Sequence, residues 1–352
     1  MATTPRPAPM ALRGDSTALA AQIAAAREVF ARHASCLILS HAGGDGDSHG
    51  AQLALALTLE NLGLRVACYN GTGVPESCRF LPTATRIVPV LPPEIPSLAI
   101  VVDANTLHRC RLTPAQLTGC REYLRVDHHV TQRAEVPFLP VVDPHATSTC
   151  EVAYHLLRGL GQPLTPDLAT CLLAGLMTDT SRFATDTVDT EAFALAAVLI
   201  QAGARHTEII EHFWERRRRQ AISVLGIALS HVTLSCAGKL AWTHLHYENF
   251  TRTGARPEED TDGIIEHVRT ISGVRLAALF TEKRDVVHVS LRAEEIDVAE
   301  LARAFGGGGH PEAAGMRCLG NLEEVVARVL PVLEAAVTAP RPEEYAESPL
   351  DS

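Results

Sequence analysis

The sequence predicts an α/β protein: a mostly parallel-sheet domain joined by a helical linker to a smaller α/β domain. Three observations carry this. Up to about residue 205, short apolar runs alternate with helix-patterned segments, a β-α-β rhythm that implies a parallel sheet with right-handed crossovers. From about His231 the apolar residues alternate singly, as in half-exposed strands. At 352 residues the chain is long enough for two separate cores.

Taken in order, residues 1–14 read as a disordered tail, and Asp15-Ser16 caps an alanine-rich amphipathic helix to about Ala31. Cys36-Leu37-Ile38-Leu39 has the pattern of a buried strand. Ser40 to Gly50 follows as a loop, and Ala51 to Leu62 as a helix stopped by Gly63. Arg65 to Tyr69 and Leu98 to Val102 are the next strands, and Val126-Asp127-His128-His129 closes another apolar-edged run. Ser148-Thr149-Cys150-Glu151 is a capping box that starts a helix at Thr149 and runs to about Leu160. Pro166 to Thr178 and Thr190 to Ala202 are further helices, completing a domain over 15–205. The linker, 206–230, reads as one long helix, with Arg216-Arg217-Arg218-Arg219 on a solvated face. In the second domain, 231–338, Leu240 to Leu245 and Val286 to Arg292 are strands, Asp297 to Phe305 a helix, and Asn321 to Val337 a closing helix. Residues 339–352 read as a disordered tail rich in proline and acid.

Composition narrows the function. Hydrophobic residues make up 46% and charged residues 20%, the profile of a packed globular protein. Nine scattered cysteines without a C-x-x-C pair suggest neither a disulfide framework nor a zinc knuckle, and fit a reducing cytoplasm. No secretory leader and no run long enough to span a bilayer is apparent, so no membrane partner is expected. A formal charge of −10 argues against a sequence-independent grip on long nucleic acid. Short phosphorylated substrates remain open, because divalent cations reverse the sign of an acid-rich pocket locally.

Four stretches place acids and imidazoles where apolar segments end: His41-Ala42-Gly43-Gly44-Asp45-Gly46-Asp47, Val102-Asp103, Asp127-His128-His129 and Thr178-Asp179. The carboxyl ends of parallel strands share one rim, so these distant groups can converge. The expected set is His41, Asp45, Asp47, Asp103, His128 and Asp179, with glycines at 43, 44 and 46 letting the first loop point its three ligands at one centre. Histidine and aspartate without thiolate suit Mn²⁺, with Mg²⁺ possible, and four carboxylates are better neutralised by two ions than by one.

With Phe305-Gly306-Gly307-Gly308-Gly309-His310-Pro311 near the C-terminus, these motifs resemble the DHH/DHHA1 phosphoesterase family over nearly the whole chain, and within it the short nanoRNase/pAp-phosphatase branch. The resemblance implies one ion on His41, Asp45 and Asp103, and another on Asp47, Asp103, His128 and Asp179. It implies that His129 contacts the scissile phosphate or the leaving group, and that Arg109, Ser290, Arg292, Gly307, Gly308, Gly309 and His310 bind substrate. It further implies a homodimer. Asp127 is expected to fix the tautomer of a ligand imidazole. Gly44 stands where the family usually has proline, which should loosen the loop without removing a ligand.

The expected activity is metal-dependent hydrolysis of short RNA or DNA oligonucleotides, about two to five nucleotides long, to 5′-mononucleotides, with pAp as a further substrate. Cyclic di-nucleotides such as c-di-AMP, or linear pApA, are close alternatives. A RecJ-like single-strand exonuclease would need a basic channel that this acidic chain lacks, and a nucleotide-binding sensor would be expected to have lost a ligand. Arg182, just past Asp179, is a candidate phosphate contact weighed against a surface ion pair. His49 is assigned to packing or to supporting a ligand, His108 could reach the phosphate but matches no family position, His145 receives no role, and Thr147 and Ser148 are explained by helix capping.

Overall fold

A computed structural model describes residues 17–129, 136–309 and 311–339. The expected tail over 1–14, all but Ala339 of the expected tail over 339–352, the Asp15-Ser16 cap and His310 lie outside the described residues. The chain divides into two compact units, at Arg216 and Arg217.

The first unit runs α1 (Thr17–Arg32), β1 (Ser35–Ser40), α2 (Gly46–Asn61), β2 (Arg65–Asn70), β3 (Ile87–Val88), β4 (Leu98–Val102), β5 (Glu122–Asp127), β6 (Phe138–Val142), α3 (Thr149–Gly159), α4 (Pro166–Asp179), α5 (Thr190–Gln201) and α6 (His206–Ile210). Its six strands lie in the order β3-β2-β1-β4-β5-β6, all parallel. The central strands read as unbroken apolar runs because both sheet faces are covered. On one face Ile38, Ile100 and Val126 join α2, α3 and α4 in the larger core, and on the other Leu37, Leu39 and Val101 pack with Leu107 and Leu117. Helices α2 and α4 approach closely: a β-carbon added at Gly50 would lie 2.3 Å from the Cys171 carbonyl oxygen.

The second unit runs α7 (Arg219–Ser230), β7 (Thr233–Ser235), β8 (Leu240–Leu245), α8 (Tyr247–Thr253), α9 (Ile264–Arg269), β9 (Leu276–Lys283), β10 (Val286–Ala293), α10 (Val298–Arg303), β11 (Gly308–Gly309), β12 (Ala313–Leu319) and α11 (Leu322–Thr338). The order is β11-β12-β10-β9-β8-β7, antiparallel except for β8 beside β9. On β10, Val287, Val289 and Leu291 point into the core while Ser290 and Arg292 take the opposite, half-exposed face.

The single long helix expected over 206–230 is not formed. Helix α6 passes into a π-helical turn at Glu211–Glu215, and the chain leaves helical conformation through Arg216 and Arg218 before α7 begins. The four arginines do not share one solvated face: Arg216 and Arg219 are exposed, while Arg217 and Arg218 are half-buried. Arg216 pairs with Glu211 at 2.6 Å, Arg217 donates to the Asp262 carbonyl, and Arg218 pairs at 2.7 Å with the buried Asp260 carboxylate. A buried carboxylate needs a partner, and extending the backbone at Arg218 supplies it. Among the described residues no helix is long and apolar enough to cross a membrane.

Candidate metal centre

In a parallel sheet, a crevice opens at the carboxyl ends of the two strands where the order reverses. Here those strands are β1 and β4, and His41 and Asp103 follow them directly. A buried polar network fixes the backbone at His41. Gln52 Nε2 donates to the Ile38 and Tyr69 carbonyls at 2.9 and 3.1 Å, and Ser40 Oγ donates to Gln52 Oε1 at 2.9 Å. Asn70 Nδ2 then donates to Ser40 Oγ and to the His41 carbonyl, each at 2.8 Å. Gln52 and Asn70 were not singled out from the sequence; the available signal was a polar residue inside an apolar helix and another at a strand end.

Helix α2 starts at Gly46 rather than at Ala51, because Asp45 caps it: Oδ1 accepts from the amides of Asp47 and Ser48 at 3.1 and 3.0 Å. Asp47 therefore sits in the first helical turn, and the expected single loop divides. His41 and Asp45 stand before the helix, while Asp47 points toward α3 and accepts from the amides of Thr149 and Cys150 at 2.7 and 2.8 Å. Gly44 has a structural counterpart in His49, which is fully buried in α2: a β-carbon at 44 would lie 2.3 Å from the His49 ring. Without a side chain at 44, the imidazole occupies that space.

Asp103 adopts φ 53°, a left-handed conformation that few residues other than glycine, asparagine and aspartate accept. Its amide donates to the Val126 carbonyl at 3.0 Å and Oδ1 accepts from Thr149 Oγ1 at 3.2 Å, so the conformation is held from two sides. Strain of this kind typically costs about 1–3 kcal/mol and gathers at functional sites.

At the end of β5 the two histidines are fixed differently. His128 Nδ1 lies 3.1 Å from the Ala146 carbonyl, which makes Nδ1 the protonated nitrogen and leaves Nε2 with its lone pair. Asp127, expected from the sequence to fix a ligand imidazole, has His129 as its partner and not His128. It accepts from His129 Nδ1 at 2.8 Å and from the His129 amide at 3.0 Å, while Oδ2 takes a fork from Arg125 at 2.9 and 2.6 Å. Arg125 and Asp127 stand two apart on one strand, hence on one face, a pairing the sequence offered and our reading missed. Burial would raise the Asp127 carboxyl, but the His129 and Arg125 bonds outweigh it and hold it at about 2. His129 is raised in turn, chiefly by its bond to Asp127.

The donor atoms converge in three overlapping sets, each within 4.8 Å: His41, Asp45 and Asp103; Asp47, His128 and Asp179; Asp103, His128 and His129. His41 Nε2 lies 3.3 Å from Asp103 Oδ2, and His128 Nε2 lies 3.3 Å from Asp179 Oδ2. All six expected ligands are thus brought together, and His129 joins them. The set fits divalent cations on two grounds. His128 Nε2 is buried without a hydrogen bond among the described residues. Burial raises the Asp47 carboxyl against the pull of His128, and burial followed by repulsion between carboxylates raises Asp103 well above its ordinary value and takes Asp179 to about 10. Cations would compensate both.

That crowding has a measurable consequence. A carboxyl raised in the fold binds more protons folded than unfolded, so its stabilising contribution is complete below its ordinary value of 3.8 and is lost as pH rises toward about 10. In chelator, the thermal midpoint of the wild type should fall from about pH 6 to 8 more steeply than that of Asp179→Asn, and saturating Mn²⁺ should remove the difference. Parallel slopes in chelator would refute this account of Asp179.

Arg109 is exposed in the turn after β4; its amide donates to Thr106 Oγ1 at 3.2 Å, its carbonyl accepts from Ala42 at 2.8 Å, and its charge opposes protonation of His129. His108 shares that turn, and the amide of His145 donates to Asp143 Oδ1 at 3.0 Å. In the second unit Arg292 Nε donates to Glu266 Oε1 at 2.7 Å, so a phosphate would have to displace or share this partner. Gly308 and Gly309 form β11 against β12, and a β-carbon at Gly307 would lie 2.3 Å from the Gly315 carbonyl oxygen. Backbone pairing therefore explains part of the glycine requirement.

Comparison with known proteins agrees with these motifs. Residues 35–176 match the DHH family, N-terminal domain, and residues 254–338 match the DHHA1 domain. The chain is 29% identical over 306 residues to the bifunctional oligoribonuclease and PAP phosphatase NrnA of Thermus thermophilus, covering 86% of this chain and 90% of that protein. It is 27% identical over 281 residues to the Bacillus subtilis protein of the same name, covering 78% and 86%. In fold it is similar to an exopolyphosphatase-related protein from Bacteroides fragilis, with a TM-score of 0.83 and 21% identity over 91% of this chain and 98% of that one. With both domains matched in order, the chain belongs to the DHH/DHHA1 family of phosphoesterases.

Proposed function

We propose that this protein is a two-metal phosphoesterase, working with Mn²⁺, that hydrolyses very short oligonucleotides to 5′-mononucleotides and removes the 3′-phosphate of pAp. The observation that carries the proposal is the overlap of three donor sets through Asp103 and His128. His41, Asp45 and Asp103 would hold one ion, Asp47, His128 and Asp179 the other, with Asp103 shared. Two such ions polarise a phosphoryl group and lower the pKa of a bound water.

The protein's own groups supply orientation and charge. Ala146 keeps the His128 lone pair directed into the centre, and the Thr149 and Cys150 amides hold Asp47 while leaving each oxygen a second lone pair. His129, whose protonated form Asp127 favours, faces the same centre and is suited to a phosphoryl oxygen or to protonating the leaving group. Arg109 adds positive charge on that side. In the second unit, Ser290, Arg292 and the glycine backbone at 307–309 are assigned to the substrate's far end. The NrnA names of the relatives support this substrate class. A cytoplasmic homodimer accompanies the proposal.

The test is a length series with purified protein in Mn²⁺: pAp, cyclic and linear di-adenylate, RNA of two to five nucleotides, and a long single strand. Preference for the short species with mononucleotide product is expected. Degradation of the long strand at an equal or greater rate would sink the short-substrate proposal in favour of a RecJ-like activity.

A further inference from the structure

Beside the metal centre lies a constellation that the chemistry above does not use. Directly after Asp179, Ser181, Arg182 and Phe183 take three successive left-handed conformations, φ 47°, 65° and 64°, and none is glycine. The turn is held by the Arg182 amide donating to the Met177 carbonyl at 2.7 Å and by the Phe183 amide donating to the buried Thr180 hydroxyl at 3.0 Å. Its effect is to set the Arg182 guanidinium over the Trp214 ring, 5.5 Å from the centroid.

Trp214 belongs to a second irregular element, the π-helical turn Glu211–Glu215, and such turns recur at functional sites. That turn is anchored to the wall of the metal centre. A β-carbon at Gly46, between Asp45 and Asp47, would lie 3.0 Å from the Phe213 ring and 2.5 Å from Thr178 Oγ1, next to Asp179. Phe80 secures the turn from outside, edge-on to Phe213 with centroids 5.7 Å apart and stacked on His212 at 4.4 Å.

Arg182 is exposed and has no carboxylate partner among the described residues, in a chain whose net charge is −10. A guanidinium lying over an indole keeps its edge N–H groups outward, and that edge is the fork that takes two phosphate oxygens. The substrates proposed above carry a phosphate that is not cut. Such a phosphate meets repulsion from Asp45, Asp47, Asp103 and Asp179 unless a fixed cation stands near them.

We propose that Arg182, positioned by Trp214, binds the uncleaved phosphate of a short nucleotide substrate. This rests on the phosphoesterase reading above. Arg182 is the binding group and Trp214 the positioning residue over which its guanidinium lies.

The test compares pAp, adenosine 3′,5′-bisphosphate, with 3′-AMP, which lacks the uncleaved phosphate. Arg182→Ala should lower the preference for pAp, as a ratio of kcat/KM values, by about tenfold or more, with the loss in KM. Trp214→Leu should reproduce part of it, and Arg182→Lys, which keeps charge without the planar fork, should recover only part. A second readout is independent of turnover. With Trp242→Phe, Trp214 is the remaining tryptophan of two, and titration with 5′-AMP should shift its emission in the Arg182 protein and not in Arg182→Ala. An unchanged pAp preference in Arg182→Ala would overturn the assignment. A wild type that hydrolyses neither pAp nor any oligonucleotide would instead overturn the functional proposal beneath it.

Discussion

Replacing Asp103 with alanine should abolish hydrolysis, lowering kcat by about 10³-fold or more, because it removes the carboxylate common to two of the three donor sets. The substitution acts on the backbone too. At φ 53° alanine loses the left-handed tolerance of aspartate, so Asp103→Ala should also be less stable. Asp103→Asn separates the two effects. Asparagine tolerates the conformation and can still accept from Thr149 Oγ1, but it removes the charge that repels Asp47 and Asp45. Metal-free Asp103→Asn should therefore unfold at or above the wild-type temperature while remaining inactive and binding fewer Mn²⁺ ions by titration calorimetry. Turnover near that of wild type in either variant would remove the shared-ligand assignment.

A single methyl group at Gly175 should be nearly as damaging to the centre, although this residue binds nothing. Its β-carbon would fall 2.2 Å from Cys150 Sγ and 2.6 Å from Asp47 Oδ1. Both neighbours belong to fixed structure: Cys150 is fully buried at the start of α3, and Asp47 is held by two backbone amides. Helix α4 must then move away from α2 and α3, carrying Asp179 at its end, or Asp47 must leave the Thr149 and Cys150 amides. Overpacking of this kind costs about 1–3 kcal/mol. Displacing a ligand's support typically costs about 10–100-fold in metal affinity or activity. Thermal unfolding and Mn²⁺ titration of Gly175→Ala should show both losses together. Wild-type metal affinity in a destabilised Gly175→Ala protein would mean that Asp47 tolerates the shift.

Much of this architecture was legible in the residues because parallel strands buried on both faces are uninterrupted apolar runs. Leu98 to Val102 was placed to the residue on that basis, and acids or imidazoles at strand and helix ends marked the rim. What escaped was whatever depended on a partner far along the chain. The start of α2 was missed because Asp45 was read as a ligand on a loop, although it also caps the helix. The long helix at 206–230 was drawn from local propensity, which cannot register the buried Asp260 that takes Arg218 out of helical conformation. Asp127 is expected from the sequence to serve a ligand imidazole but holds His129, because the Ala146 carbonyl that fixes His128 lies beyond β6. For Arg182 the sequence left a phosphate contact and a surface ion pair both open, and the Trp214 ring beneath its guanidinium is the contact the sequence could not show.

The amides that hold Asp47 belong to residues 102 and 103 positions further along the chain, and Asp179 lies beyond them. During synthesis, the N-terminal segment with His41, Asp45 and Asp47 emerges well before the elements that align it. Contacts of such long span form late, once loop closure has been offset by the rest of the core. A partly made chain therefore offers only loose carboxylates, and the complete cation site arises with closure of the whole first unit. Capture of a divalent ion at this centre would thereby report that this unit has finished folding.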